Sequence, residues 1–332
     1  MRYFRLLPLF ALFLPLLFSC NKDLNVNASW KDITVVYGLL DQTQDTNYIK
    51  VTKAFLGEGN ALEFAKIPDS SNYLHGLDVK LEEWNQGNYL NTYQCDSIRI
   101  QNKNPYDDSI SFFYYPNQLL YYTTKKLNEN FTYILVVTNK QTGKVISGQT
   151  GLMHDFDVTR PNGTVSFIPN YNFEVRWTQA KNGKRYQLVI RFFYMESLKS
   201  SPSIKQMKYI DWQVFNNVKP IDANSTLPFS LFFPGNAFYA VVGAKIPVDP
   251  LVDRVAHHCE YIFTVAAAEL DTYMEVTEPS LSLVQERPSY TNITNGIGLF
   301  SARFMKSVDS LSISQITKDS LKINAHTKNL GF

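Results

Sequence analysis

Apolar residues along this chain recur mostly at every second position, the spacing of strands with one buried face. The clearest stretch is LDVKLEEW (77–84), with Leu77, Val79 and Leu81 on one side and Asp78, Lys80 and Glu82 on the other. NFEVRWT (172–178) places Phe173, Val175 and Trp177 on one face, and RYQLVIRFFYME (185–196) does the same with Tyr186, Leu188, Ile190, Phe192 and Tyr194. ITVVYGLL (33–40) is a continuous apolar run, followed after the polar turn Asp41 to Asp45 by TNYIKVTKAF (46–55). YLNTYQC (89–95), SISFFYY (109–115), FTYILVVTN (131–139) and GKVISGQT (143–150) bring the first half to about seven strands, the number in an immunoglobulin-like sandwich. Asn85 to Asn88 and Asn139 to Gly143 have the composition of hairpin loops. KQMKYIDWQVF (205–215) and EYIFTVAAA (260–268) add strands to the second half.

Two stretches change period. GNAFYAVVGAKI (235–246) sets Phe238, Val241, Val242 and Lys245 at helical spacing between Pro234 and Pro247. ELDTYMEVTE (269–278) sets Leu270, Tyr273, Met274 and Thr277 on one side and stops at Pro279. Both predict short helices. RPSYTNITNGIGLFSARF (287–304) has a Gly-x-Gly turn before an apolar strand. In the tail SISQITKDSLKINAHTKNLGF (312–332), Ile316, Leu321, Ile323 and Leu330 predict a helix or an extended segment docked on the second half.

HDFDVTRP (154–161) reads as a linker. The expected fold is therefore mainly β, with two antiparallel β-sandwich domains of immunoglobulin or fibronectin III type. The N-terminal sandwich spans 31–155; the C-terminal one spans 160–332 and carries the helical insertions and the docked tail. A strand ending in Trp177, a turn at 181–184 and a strand led by Tyr186 resemble the centre of a fibronectin type III domain. At 332 residues the chain is long enough for two domains. Its 23 Phe and 20 Tyr are the main core material, which favours strands.

The start of the chain carries an address. Arg2 and Arg5 precede an apolar run from Leu6 to Phe18, interrupted by Pro8 and Pro15, and Ser19 stands directly before Cys20. This is the pattern of a bacterial lipoprotein signal. It predicts a signal peptide at 1–19, cleavage between Ser19 and Cys20, lipidation of Cys20, and a polar tether at 20–30. The run is too short for a spanning helix, which needs about 20 apolar residues. Each buried methylene contributes about 0.8 kcal/mol, so the two or three acyl chains of such an anchor hold it in a membrane. The net charge of +2 falls to near neutral once Arg2 and Arg5 depart. With no basic run, this balance argues against nucleic-acid binding.

Candidate chemistry is sparse. Cys95 and Cys259 can pair in an exported protein, but they lie in different halves, and two buried free thiols are the favoured reading. His257-His258-Cys259 is the one cluster of good metal ligands, yet neighbours on a strand point to opposite faces, so a structural role is expected. His154, Asp155 and Asp157 offer an imidazole and two carboxylates at the junction, where a solvated linker is favoured over a divalent-cation site. Glu82-Glu83 and Asp107-Asp108 are adjacent carboxylates more ordinarily solvated than catalytic. The sequence has no G-x-S-x-G, H-E-x-x-H or P-loop pattern. We therefore expect no catalytic residues, no metal, no cofactor and no enzymatic activity. Phe112 to Pro116 and Leu119 to Tyr122 are aromatic runs that either fill the first core or build an interface, with the core favoured.

The stretches VVYGLLDQTQDTNYIKVTKAFLGEGNA (35–61), GNAFYAVVGAKIPVDPLVDRVAHHCEYIFTVAAAELDTYMEV (235–276) and ERPSYTNITNGIGLFSARF (286–304) resemble a family of Bacteroidota envelope lipoproteins, known as a domain-of-unknown-function family. The resemblance implies an outer-membrane lipoprotein with β-sandwich domains, a companion of a TonB-dependent β-barrel receptor. It brings no active-site residues. Acidic residues after the lipidated cysteine mark surface exposure in these bacteria; Lys22-Asp23 supplies one acid, leaving surface and periplasmic faces both open. Asp96-Ser97-Ile98, Asp108-Ser109-Ile110, Asp309-Ser310-Leu311 and Asp319-Ser320-Leu321 resemble the O-glycosylation acceptors of this bacterial group. The expectation is a non-enzymatic binding or accessory module with an unidentified ligand; a structural or adhesion spacer and an envelope hydrolase acting on glycan or peptide are the alternatives.

Overall fold

A computed structural model describes residues 31–56, 65, 67–101, 117–220, 227–278 and 289–332. The signal peptide, Ser19, Cys20, the tether, Asp107-Asp108, the strand expected at 109–115 and the aromatic run from Phe112 lie outside the described residues.

Strands dominate, with 55% of the described residues in strand and 13% in helix. The first half contains β1 (Lys31–Leu40), β2 (Asn47–Leu56), a single-turn helix α1 (Pro68–Ser71), β3 (Leu77–Asn85), β4 (Asn88–Gln94), β5 (Asp96–Ile100), β6 (Gln118–Thr123), β7 (Thr132–Asn139) and β8 (Val145–Gly151). The second contains β9 (Val158–Arg160), β10 (Thr164–Val165), β11 (Asn172–Trp177), β12 (Arg185–Leu198), β13 (Ser201–Val218), β14 (Phe229–Pro234), α2 (Gly235–Lys245), β15 (Val252–Ala266), α3 (Ala268–Thr277), β16 (Ile293–Thr294), β17 (Ile297–Ile313) and α4 (Gln315–Ile323). Both helices expected from the change of period are present.

The period-two reading of β3 holds: Leu77, Val79 and Leu81 are buried while Asp78, Lys80 and Glu82 are only half-buried. Its hairpin to β4 turns at Gln86 and Gly87, both with positive φ, the conformation whose twist matches the flanking strands. β11 and β12 also bury the faces the alternation marked. Trp177 on β11 stacks on Phe229 of β14 (centroids 4.8 Å apart) and on Phe215 of β13 (5.4 Å), and it packs against Phe263 of β15.

Three sheets result. A nine-stranded sheet runs β13-β12-β15-β17-β1-β2-β6-β5, with β10 also on β17; the others are β14-β11-β9 and β16-β8-β7-β3-β4. Both smaller sheets pack on the same face of the large one. The first does so through Trp177 on Phe263. The second does so at Gly148, where a Cβ would stand 2.9 Å from Phe300 on β17. α3 sits beside β1 and β17, and its Tyr273 meets Tyr37 of β1 edge-on. Glu269 of α3 accepts hydrogen bonds from Ser301 of β17 and Thr150 of β8.

The two sequence blocks meet inside the large sheet, because β1 pairs in parallel with β17. Antiparallel pairing prevails elsewhere, apart from β10 on β17. Residues 154–161 read as a linker, but Phe156 is buried against Tyr186, Phe263 and Phe304, and 158–160 form β9. A single large apolar residue overrides the polar composition around it. In the tail, Leu321 and Leu330 are buried as expected, whereas Ile316 and Ile323 are exposed on α4. The α4 N-cap, Ser314, accepts a hydrogen bond from the Thr317 amide, satisfying an otherwise unpaired donor.

Candidate functional site

The outer face of β13, β12 and β15 carries side chains that the core does not use. Register aligns them in three cross-strand rows. Met207, Met195 and Val255 form an apolar row; Tyr209, Phe193 and His258 form an aromatic row; Asp211, Arg191 and Glu260 form a charged row. Met207, Tyr209 and Val255 are 46, 55 and 60% exposed, and as cross-strand neighbours they form a contiguous patch rather than scattered single residues. Ile204, nearer the hairpin end, is also exposed.

The rows are held in register by specific contacts. Arg191 donates through Nε (2.7 Å) and Nη2 (3.0 Å) to both carboxylate oxygens of Asp211, a planar fork on a fork. Its guanidinium lies 4.4 Å from the Tyr209 ring centroid, and Glu260 stands 3.9 Å away on the other side. Ser307 of β17 donates to Glu260 at 2.6 Å. Phe193 packs on Tyr209 at 5.6 Å and lies flat on the His258 ring at 4.3 Å. Lys245 at the end of α2 donates to the Asp211 carbonyl, fixing the edge strand at that point. Such a face, with apolar and aromatic residues beside an Arg ion pair, has the composition of a protein interface.

A β-bulge changes the geometry expected of the histidines. Phe193 pairs with His258 and Tyr194 with Ala256, so His257 is the extra residue. One inserted residue reverses the alternation. His257 and His258 both reach the outer face, with their Nδ1 atoms 2.6 Å apart, rather than pointing to opposite faces as strict alternation predicts. Cys259 points inward and is fully buried. Burial lowers the pKa of His258, as does the neighbouring His257, while Asp309 and Glu260 oppose the shift. Asp309 Oδ1 lies 3.6 Å from His258 Nε2.

The remaining candidates are dispersed. Cys95 and Cys259 are free and buried. Burial pushes the Cys95 thiol up to about 12 and Cys259 higher still. At 154–157, His154 faces Glu129 at 3.3 Å and Lys306 takes Asp155 at 2.7 Å. Among the described residues no three His, Cys, Asp or Glu side chains are placed to share a metal ion. Glu83 is buried, accepting from the hydroxyls of Tyr133 (2.9 Å) and Tyr93 (3.0 Å), whereas Glu82 accepts from Trp84 Nε1. The expectation of two solvated acids is thus corrected for Glu83, whose carboxylate two tyrosines satisfy. Tyr121 is in the core, and Tyr122 packs on Tyr48. Among the Asp-Ser-aliphatic triplets, Asp96-Ser97 is exposed on β5, while Ser320 is buried within α4.

Sequence reasoning passed over the rows. Their signal was present: Val189, Phe193 and Met195 occupy the outward positions of β12, where a solvated face would be polar.

No helix among the described residues is long and apolar enough to cross a membrane. No protein-family profile matches the chain, and comparison with curated proteins gives no match.

Proposed function

We propose that this chain is an envelope lipoprotein, held on the outer membrane by lipid at Cys20, that acts as a non-enzymatic accessory module for a β-barrel receptor or transporter. The membrane address follows from the signal pattern and the family resemblance. The observation that supports a binding role is the exposed apolar row Met207, Met195 and Val255 beside the Arg191–Asp211 pair. In this reading the row is the centre of the contact and the charged row its polar rim. We also read the β-rich halves as sandwiches of the immunoglobulin and fibronectin III kind. Trp177 against Tyr186 (5.8 Å), with the Tyr186 hydroxyl accepting from the Ala180 amide, supports that reading.

The test is a detergent pull-down of the lipoprotein from its own membranes, read by mass spectrometry. A β-barrel protein recovered in stoichiometric amount, and lost from the Met207→Asp/Val255→Asp variant, is the expected result. Recovery of the lipoprotein alone, or a barrel retained by the variant, overturns the proposal.

A further inference from the structure

We propose that His257 and His258 form a two-nitrogen binding site for a divalent transition-metal ion of the zinc or copper kind, independently of the docking role. Three features of the molecule carry it. First, the bulge sets two consecutive imidazoles on one solvent-facing surface with their Nδ1 atoms 2.6 Å apart. Two neutral imidazoles meet at that distance only if one Nδ1 carries a proton and the other offers a lone pair. An ion bound at about 2.0–2.1 Å from each nitrogen takes the place of that proton and draws on both lone pairs. The nitrogens need to separate only to about 2.9–3.4 Å to span a right-angled or tetrahedral ligand angle at those bond lengths.

Second, the His258 ring is already oriented. It lies flat on Phe193, 4.3 Å between centroids. Asp309 Oδ1 stands 3.6 Å from its Nε2, on the side away from His257. That distance is beyond a hydrogen bond, and the same oxygen accepts from the Ser310 amide, but the negative charge on that side favours the proton on Nε2 and leaves Nδ1 free to coordinate. His257 then holds the shared proton on Nδ1, and on binding it moves that proton to its own Nε2. The count of protons is unchanged.

Third, the ligand type selects the ion. Imidazole nitrogens suit zinc, copper and nickel and take calcium or magnesium poorly. Cys259, the only adjacent thiol, points into the core, so the two nitrogens are the protein's share and water fills the remaining positions. For such a nitrogen site copper(II) binds more tightly than zinc.

Titration calorimetry of the detergent-solubilised full chain with copper(II) and with zinc, near neutral pH, tests this. One ion per chain is expected, copper the tighter. His257→Ala and His258→Ala each weaken binding at least about tenfold, and His154→Ala leaves it unchanged. The copper complex should show two imidazole nitrogens by electron paramagnetic resonance, and one in either single variant. Circular dichroism identical to the parent certifies that each variant is folded. Absence of saturable binding, or undiminished binding in the His257→Ala/His258→Ala double variant, overturns the site without touching the docking proposal.

Discussion

The carbonyl oxygen of Val36 occupies the space where a side chain on residue 298 would begin: a Cβ built on Gly298 stands 2.0 Å from it. These residues are partners in the parallel pairing of β1 with β17. Gly298 also has φ +116°, which L side chains rarely adopt. Both reasons require glycine here.

Gly298→Ala is therefore expected to destabilise the fold by about 1–3 kcal/mol through backbone strain, with the clash adding to that. Gly87, also at positive φ but with nothing within 4 Å of its Cβ position, should cost less when changed to alanine. Urea unfolding of both variants measures the difference. Equal losses would mean that β1 and β17 do not approach as closely as described.

Trp177 is fully buried between Phe215 and Phe229. Trp177→Ala should lower stability by about 3–5 kcal/mol. A loss under about 0.5 kcal/mol in the same assay would place the ring at the surface.

Acid stability depends on Glu196. Burial works to raise its pKa, but hydrogen bonds from Lys208 and from Arg254 (2.9 Å) outweigh burial and hold it below the usual carboxylate range. The unfolded-state value is about 4.3. A group depressed on folding stabilises fully above its unfolded pKa and loses that contribution as pH falls through the folded one. Glu196→Gln should thus flatten the acid limb of the stability curve below about pH 4. It should also destabilise at neutral pH, since Arg254 is only 2% exposed and loses its anionic partner. An unchanged acid limb would show that the pair does not form.

Both described cysteines should be unreactive while the protein is folded. Burial disfavours their thiolates, and the thiolate is the reacting form. A maleimide reagent should label Cys95 and Cys259 only after denaturation. Labelling in the native state, or a disulfide found between them, would contradict the buried free thiols.

Lipidation is tested at its own residue. Cys20→Ala should abolish incorporation of labelled fatty acid and release the protein from membranes; continued incorporation would remove the anchor from the proposal.

Local elements were legible because one residue's neighbours determined them. The alternation at 77–84 and at 172–177 named the buried faces, and Pro234 and Pro247 bracketed α2. Long-range relations were not. Nothing near Val36 announces that its partner is Gly298. Arg254 sits at an inward position of β15, where a charge argues against a strand; only the folded chain brings Glu196 to meet it. The histidine pair was hidden by a single inserted residue, which reverses the face of everything beyond it. The docking rows need three strands at once, and two of them are unremarkable when read alone.

The pairing of β1 with β17 also sets a schedule. A ribosome makes residues 31–40 early and 297–313 late, yet these strands are neighbours in the middle of the large sheet. Until the later one exists, Val36 and Leu40 have an open edge beside them, a surface that invites wrong partners. The central sheet can therefore close only once residues 297–313 have been made, more than 250 residues after β1 leaves the ribosome.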